Sequence, residues 1–170
     1  MINQKISSEE FFLDLFMDSS KIIAEENNLD YSESQRYLYY HILKDLAKNN
    51  KFTLPFEIKE YEKKIASLNN FKFQHVLFLK NHKFLDQLFK KIDVKYRKKL
   101  GQILTPYQVA DFMVSLGFSS KNSSILDPAI GTGIFAEHSL KNTEKISNLK
   151  ILGFDVDPFV LNTTFLRIKL

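Results

Sequence analysis

The first hundred residues show apolar positions spaced three and four apart, which is the pattern of helices that bury one face. Four helices are predicted, and they follow Ser7, Ser32, Pro55 and Lys72. The first two starts are each followed three residues later by Glu10 or Gln35, which completes a capping box. No segment alternates with a period of two, and the first glycine is Gly101. Residues 1–100 are therefore predicted to form an all-helical domain.

Beyond Gly101 the pattern changes to short apolar runs separated by glycine and proline. All five glycines and three of the four prolines lie between Gly101 and Pro158. Thr105 and Pro106 suit the N-cap and first position of a helix that ends at Gly117. That helix carries an apolar face of Val109, Phe112, Met113 and Leu116.

The segments after that helix predict strands and helices in alternation. The predicted order is a strand at 124–127, a glycine-rich turn, a helix at 134–140, a strand at 149–155 and a helix from Phe159 capped by Asp157. This order is the opening of a doubly wound parallel sheet. The predicted fold class is therefore α/β, with a helical domain at 1–100 and a partial second domain at 101–170.

Composition and charge exclude several classes of protein. The chain has 170 residues, a hydrophobic fraction of 44%, a net charge of +4 and no cysteine, so disulfides and thiolate metal sites are excluded. No apolar run approaches the roughly 20 residues of a membrane span, and no secretory signal is present, so a cytoplasmic protein without a membrane partner is expected. The four histidines lack a ligand-like spacing, so no metal site is predicted. A basic run at 90–99 fits either a solvated helix end or a contact with DNA phosphate.

The first candidate site is the segment 127–133, Asp-Pro-Ala-Ile-Gly-Thr-Gly, between a strand and a helix. Glycine backbone can approach a ligand closely, and the N–H groups at a helix start favour an anion. The carboxylate of Asp127 can instead hold a cation. A ligand that carries both a carboxylate and an ammonium group suits this pair, as does the methionine part of S-adenosylmethionine.

Two further segments complete the candidate site. Asp155 follows the second predicted strand, where an acidic residue accepts hydrogen bonds from ribose hydroxyls in βαβ nucleotide folds. Val156 would then lie beside an adenine ring. Upstream, Thr105 would supply a hydroxyl and backbone N–H groups for the cofactor carboxylate.

The order of these segments resembles the gamma-type DNA adenine-N6 methyltransferases, which include the modification subunits of type I restriction systems. The matching blocks are Gly-Gln-x-x-Thr-Pro, Val-Ala-x-Phe-Met, Asp-Pro-Ala-x-Gly-Thr-Gly and Gly-Phe-Asp-x-Asp-Pro, between Gly101 and Pro158. The resemblance implies S-adenosyl-L-methionine as cofactor and double-stranded DNA as substrate. It implies a cofactor site formed by Thr105, Pro106, Asp127, Pro128, Ala129, Gly131, Thr132, Gly133, Asp155 and Val156. The chain departs from the family pattern at Leu104 and Ile130.

The catalytic motif of this family, of the type Asn-Pro-Pro-Tyr, does not occur in the sequence. In the family this motif holds the adenine amino group and stacks the flipped base. Asp157-Pro158-Phe159 lacks the second proline. We therefore expect a truncated methyltransferase, inactive alone and prone to aggregation after Gly101, that needs a downstream domain, a complementary chain or a specificity subunit.

Other functions remain open from sequence alone. The helical residues 1–100 could be a non-catalytic interaction or DNA-contacting module left from a truncated gene. A nicotinamide-dependent dehydrogenase fits less well, because the turn lacks the Gly-x-Gly-x-x-Gly pattern. RNA and protein methyltransferases share the cofactor blocks with the DNA enzymes.

Overall fold

A computed structural model of the chain describes residues 8–61, 82–92, 94–117, 124–142 and 149–170. Seven helices and two strands lie in these ranges. The helices are α1 Ser8–Asn27, α2 Tyr31–Asn49, α3 His82–Lys91, α4 Val94–Lys99, α5 Tyr107–Gly117, α6 Ile134–Lys141 and α7 Pro158–Lys169. The strands are β1 Ser124–Asp127 and β2 Lys150–Gly153. The described part is thus mostly helical with a small parallel sheet, and none of its helices is long and apolar enough to cross a membrane.

The chain divides into two compact units. The first unit contains Met1–Asp45 and Lys59–Gly101, and the second contains Leu46–Ile58 and Gln102–Leu170. The division into domains at 1–100 and 101–170 stays a prediction. The grouping of Leu46–Ile58 with the C-terminal residues is a finding that the sequence pattern did not indicate.

The first unit has a core of aromatic and aliphatic side chains from its helices. The buried hydrophobic side chains that α1 and α2 contribute to this unit are Phe12, Phe16, Ile23, Tyr37, Leu38, Tyr39, Tyr40, Ile42 and Leu43. A buried hydrogen bond of 2.7 Å from the Ser34 hydroxyl to the Ser20 carbonyl joins the two helices. Phe11, Leu15 and Ile22, which share the predicted apolar segment of α1, are exposed.

The start of α2 differs from the predicted start at Ser32. The side chain of Asp30 accepts a hydrogen bond of 2.9 Å from the Ser32 amide, and its carbonyl accepts one from Ser34. Asp30 is therefore the N-cap, because its carboxylate accepts from the second amide of the helix and its carbonyl accepts the first bond within the helix. The predicted cap Ser7, the body of the predicted third helix and the predicted start of the fourth helix at Lys72 lie outside the described residues.

The second unit contains the parallel sheet, with β1 and β2 paired in register from Ser124 opposite Lys150 to Asp127 opposite Gly153. Sequence had predicted both strands, the helix between them and the final helix, and these predictions are confirmed. The side chain of Asp157 accepts a hydrogen bond from the Phe159 amide, so it is the predicted N-cap of α7.

The segment 46–58 is attached to α7 within the second unit. The Asn162 side chain donates to the Phe56 carbonyl at 2.9 Å and accepts from the Phe56 amide at 3.1 Å. The ring of Phe52 meets the ring of Phe165 edge-on, with centroids 6.2 Å apart. We call residues 46–58 the strap, because they fasten onto a helix that is distant in sequence.

The predicted apolar face of α5 is solvent-exposed. Val109, Phe112, Met113 and Leu116 are between 44% and 72% exposed, while Ala110 and Val114 are the buried positions. The apolar face recognised in the sequence is therefore not the side on which this helix packs in the described residues. The small side chain of Ala110 and the short one of Val114 allow α5 to approach its neighbours in the unit, whereas the longer apolar side chains point outward.

Candidate functional site

The carboxyl ends of β1 and β2 lie side by side, because the two strands are parallel and in register. Asp127 is the last residue of β1, and Asp155 follows the end of β2 by two residues. Loops at this end of a parallel sheet form the usual ligand crevice of doubly wound folds. The structure thus brings two of the predicted acidic residues to the same edge.

Hydrogen bonds tie the loop after β1 to the segment after β2. The Phe154 amide donates to the Asp127 carbonyl at 2.9 Å, and the Ile130 amide donates to the Phe154 carbonyl at 2.8 Å. The carboxylate of Asp127 accepts a hydrogen bond of 3.1 Å from the Ala129 amide. These bonds hold the backbone of the glycine-rich loop in one conformation against the second strand.

Asp155 is held by two backbone amides. One carboxylate oxygen accepts from the Gly131 amide at 3.1 Å, and the other accepts from the Asp157 amide at 2.9 Å. Gly131 and Asp155 thus contact each other directly. The Gly131 amide is therefore engaged by this carboxylate.

Gly133 lies where only glycine fits. Its φ is 80°, and a Cβ atom there would lie 2.6 Å from Cγ2 of Thr164 on α7. The hydroxyl of Thr164 also donates to the Gly131 carbonyl at 2.6 Å. Thr164 therefore holds the glycine-rich loop in place, a role that was not predicted from the sequence. The signal was a run of three polar residues, Asn162, Thr163 and Thr164, between apolar residues of this helix.

The remaining predicted site residues are distributed around this edge. Thr132 and Gly133 are buried, Pro128 and Ala129 are exposed, and Val156 is 86% exposed. Thr105 is half-buried and Pro106 is exposed, and the hydrogen bonds of the described loop do not include either. Of the predicted residues, Asp127, Ala129, Gly131 and Asp155 are thus joined by hydrogen bonds, and Thr105 is not among them.

A cavity of about 460 Å³ lies along β1. It is lined by Met113, Val114 and Gly117 of α5, by all four residues of β1, and by Phe135 and Ser139 of α6. Asp127 is the one predicted site residue in this lining. Gly131 and Asp155 therefore do not line this cavity. We call the edge formed by Asp127, Ala129, Gly131 and Asp155, at the carboxyl ends of the two strands, the loop edge.

The helix after Thr105 is anchored to α6 by polar contacts. Nδ1 of His138, which is 1% exposed, lies 3.0 Å from a carboxylate oxygen of Asp111. The ring of Tyr107 meets the imidazole edge-on at 4.1 Å, and its hydroxyl accepts a hydrogen bond from Lys141. These contacts fix the Thr-Pro segment at one end of the second unit. The sequence analysis named His138 only as a histidine without metal-ligand spacing.

The side chain of Lys141 also contacts Glu137, which is buried. Burial lowers the pKa of Lys141, but hydrogen bonds to Glu137 and Tyr107 outweigh that effect, so its pKa is raised above 10.5. The other oxygen of Glu137 lies 3.2 Å from the guanidinium of Arg167 on α7. One carboxylate thereby connects α6 to α7 and, through Lys141, to α5.

Comparison with known proteins relates part of the sequence to a known family. The sequence matches the N-6 DNA Methylase family over residues 84–167. It is also 28% identical, over 81 residues, to the type II methyltransferases M.HincII of Haemophilus influenzae and M.HindII of Haemophilus influenzae strain KW20 / Rd. Each match covers 44% of this chain and 15% of the relative, so the chain corresponds to a small part of these proteins. No solved structure matches the chain. Over residues 84–167, which contain the loop, both strands and most of α7, the chain therefore matches the N-6 DNA methylase family.

Proposed function

We propose that this chain is the S-adenosyl-L-methionine-binding part of a site-specific DNA adenine-N6 methyltransferase of a restriction-modification system. The observation that carries the proposal is the loop edge, where Asp127, the glycine-rich loop and Asp155 meet within a chain of the N-6 DNA methylase family. The fold that we propose for residues 101–170 is the start of a Rossmann-like methyltransferase domain.

The chemistry of the loop edge suits this cofactor. Each carboxylate offers about four acceptor sites, and the described backbone amides occupy two of those on Asp155. Asp155 is thus oriented by the backbone and keeps lone pairs for ribose hydroxyls. Asp127 offers negative charge to an ammonium group, and the exposed side chain of Val156 offers an apolar surface to an adenine ring.

Space at the loop edge also supports the proposal. A Cβ atom placed on Gly131 would meet nothing closer than the Ala129 carbonyl oxygen at 3.8 Å, and the φ of 53° favours glycine. The front of the loop is therefore open where a ligand would approach. When bound, S-adenosylmethionine supplies the methyl group of a sulfonium cation. The roles proposed for Thr105 and Pro106 are contacts with the cofactor carboxylate.

Methyl transfer itself requires groups that these 170 residues do not contain. The sequence has no Asn-Pro-Pro motif to hold the adenine amino group. We propose that the chain alone binds the cofactor and does not transfer its methyl group. Double-stranded DNA would be engaged together with a downstream domain, a complementary chain or a specificity subunit.

Calorimetric titration with S-adenosylmethionine and with its demethylated product tests the cofactor site. Asp155→Ala removes two charge-assisted acceptors, each typically worth about 1.5–3 kcal/mol, so binding should weaken about a hundredfold or more. Gly131→Val should weaken it as well, because a β-branched residue is strained at positive φ and fills the open front. Asp14→Ala, on the exposed side of α1, is the matched control and should bind as the native chain does.

Two results would contradict the proposal. One is an absence of binding by the native chain. The other is an affinity that Asp155→Ala and Gly131→Val leave unchanged, since the loop edge would then not be the cofactor site. Thermal denaturation of each variant shows whether a lost affinity reflects the site or a lost fold.

A further inference from the structure

Positive charge is concentrated in one short part of the chain. Residues 82–101 contain seven lysines and arginines against two aspartates, an excess larger than the net charge of +4 of the whole chain. The rest of the chain is therefore slightly acidic. A charge distribution of this kind indicates a surface that meets a polyanion, because the basic residues are not spread to balance acidic ones.

The two short helices of this part are fixed to each other by Arg97. Its guanidinium donates to the Lys90 carbonyl at 2.6 Å and to the Ile92 carbonyl at 3.2 Å, at the C-terminal end of α3. The same guanidinium lies over the Phe89 ring at 5.9 Å from its centroid. Arg97 therefore has a structural role, because it holds α4 beside the end of α3.

The remaining cations of the two helix ends are exposed. We call Lys90, Lys91, Lys98 and Lys99 the basic surface; all four side chains are exposed, and within the described residues none forms an ion pair. Lysines at a helix end are often explained by the helix dipole and the free carbonyls. Here Arg97 already binds two carbonyls at the end of α3, so that explanation does not account for Lys90 and Lys91, and Lys98 and Lys99 add two more exposed cations at the end of α4.

We infer that the basic surface binds the phosphate backbone of double-stranded DNA. The inference rests on the proposed function, since it names a contact of the same protein with its DNA. Lysine ammonium groups on flexible stems suit phosphate contacts that position DNA without reading its bases. The surface also lies within the residues that match the N-6 DNA methylase family. Binding through it should be independent of sequence and strongly dependent on salt.

Fluorescence anisotropy with a short labelled DNA duplex, measured on the full chain at several salt concentrations, tests the inference. Each phosphate contact contributes about 0.9 to the slope of log affinity against log salt. If all four lysines contact phosphate, affinity should fall about a hundredfold between 50 and 200 mM salt. Replacing all four by glutamine should reduce the slope by about three to four and weaken binding about tenfold or more at low salt.

Two control variants isolate the surface from general charge and folding effects. Lys48, Lys51, Lys59 and Lys150 are exposed elsewhere, and their replacement by glutamine removes the same charge. That variant should keep most of the affinity and of the salt slope. Replacement of the four surface lysines by arginine preserves the charge and should keep DNA binding, whereas a specific structural need for lysine would abolish it.

Several outcomes would overturn the inference. These are no DNA binding by the native chain at low salt, an equal loss in the two glutamine variants, or tighter binding to an RNA duplex of the same length. Cofactor binding is measured separately, so the two proposals can fail independently. If the native chain binds the cofactor but not DNA, the inference about the basic surface is refuted alone. If it binds DNA but not the cofactor, the proposed cofactor site is refuted alone.

Discussion

At the scale of single residues, the loop edge depends on the close approach of Gly153 and Ile130. A Cβ atom on Gly153 would lie 2.1 Å from Cδ1 and 2.9 Å from Cβ of Ile130. The Ile130 side chain is buried, and its amide bonds to the Phe154 carbonyl. The bulky residue at position 130, at which the sequence departs from the family pattern, is accommodated because the end of β2 has no side chain.

Gly153→Ala should therefore destabilise the protein, by about 1–3 kcal/mol, which is typical of overpacking. Ile130→Ala alone leaves a cavity and should cost about 2–5 kcal/mol. The double variant should cost clearly less than the sum, because the new methyl group enters the vacated space. Urea denaturation of the four proteins measures this coupling. Strict additivity of the two single effects would show that the contact does not govern the loop.

Residue roles that depend on local chemistry were predictable from sequence. Asp157 before Pro158 is an N-cap pattern, and the structure confirms it because the interaction joins neighbouring residues. The steric partners of Gly133 and Gly153 were not predictable, because Thr164 and Ile130 approach them from distant parts of the chain. The sequence indicates that a glycine is needed but does not identify the atoms that exclude a side chain.

At the scale of elements, polar contacts hold α5 against α6. Asp111 of α5 contacts His138, and Tyr107 of α5 accepts a hydrogen bond from Lys141, which also contacts Glu137. Period and turn residues predicted where these helices begin and end to within about one residue. They did not predict which side of α5 is buried, because periodicity identifies an apolar face and not its partner. The face that packs contains Ala110 and Val114 and was hidden among longer apolar residues.

Lys141 should give this helix junction a dependence on alkaline pH. Its raised pKa means that the folded chain holds the proton more tightly than the unfolded chain, whose value is near 10.5. The stabilisation is therefore complete below pH 10.5 and is lost as pH rises through the higher folded pKa. Because the side chain is 50% exposed, the effect should be screened to about 0.5–1 kcal/mol.

The measurement is the difference in unfolding free energy between the native chain and Lys141→Met across this pH range. The difference should be constant near neutral pH and shrink above pH 10.5. Lys150→Met, at an exposed position of β2, is the control. A native-to-variant difference that grows with alkaline pH would show that the hydrogen bonds to Glu137 and Tyr107 do not favour the charged form.

At the scale of the whole molecule, the second unit exposes several large apolar side chains. Its exposed side chains include the stripe Val109, Phe112, Met113 and Leu116 and, on the strands, Leu126 and Leu152. Within the described residues, β1 also pairs along one edge only, with β2. Exposed apolar stripes and unpaired strand edges both favour association.

The chain should therefore self-associate with increasing concentration. The double variant Phe112→Lys and Leu116→Lys, on the exposed side of α5, should remain monomeric at higher concentration without a loss of thermal stability, since neither side chain is buried. Sedimentation velocity gives the association state. Glu25→Gln together with Glu26→Gln, at exposed positions of α1, is the control, because it changes the net charge by the same amount elsewhere. Equal improvement in both variants would attribute the effect to net charge and not to the stripe.

The strap affects how this chain folds as it is synthesised and how it can be cut into fragments. Phe56 is synthesised long before its partner Asn162, 106 residues later, so the bonds between them close only after Asn162 has left the ribosome. A cut near residue 100, where composition changes, would leave the strap on one fragment and its docking helix on the other. Fragments produced on that plan would each lack part of the second unit, and mixing them could restore the contact without any covalent link.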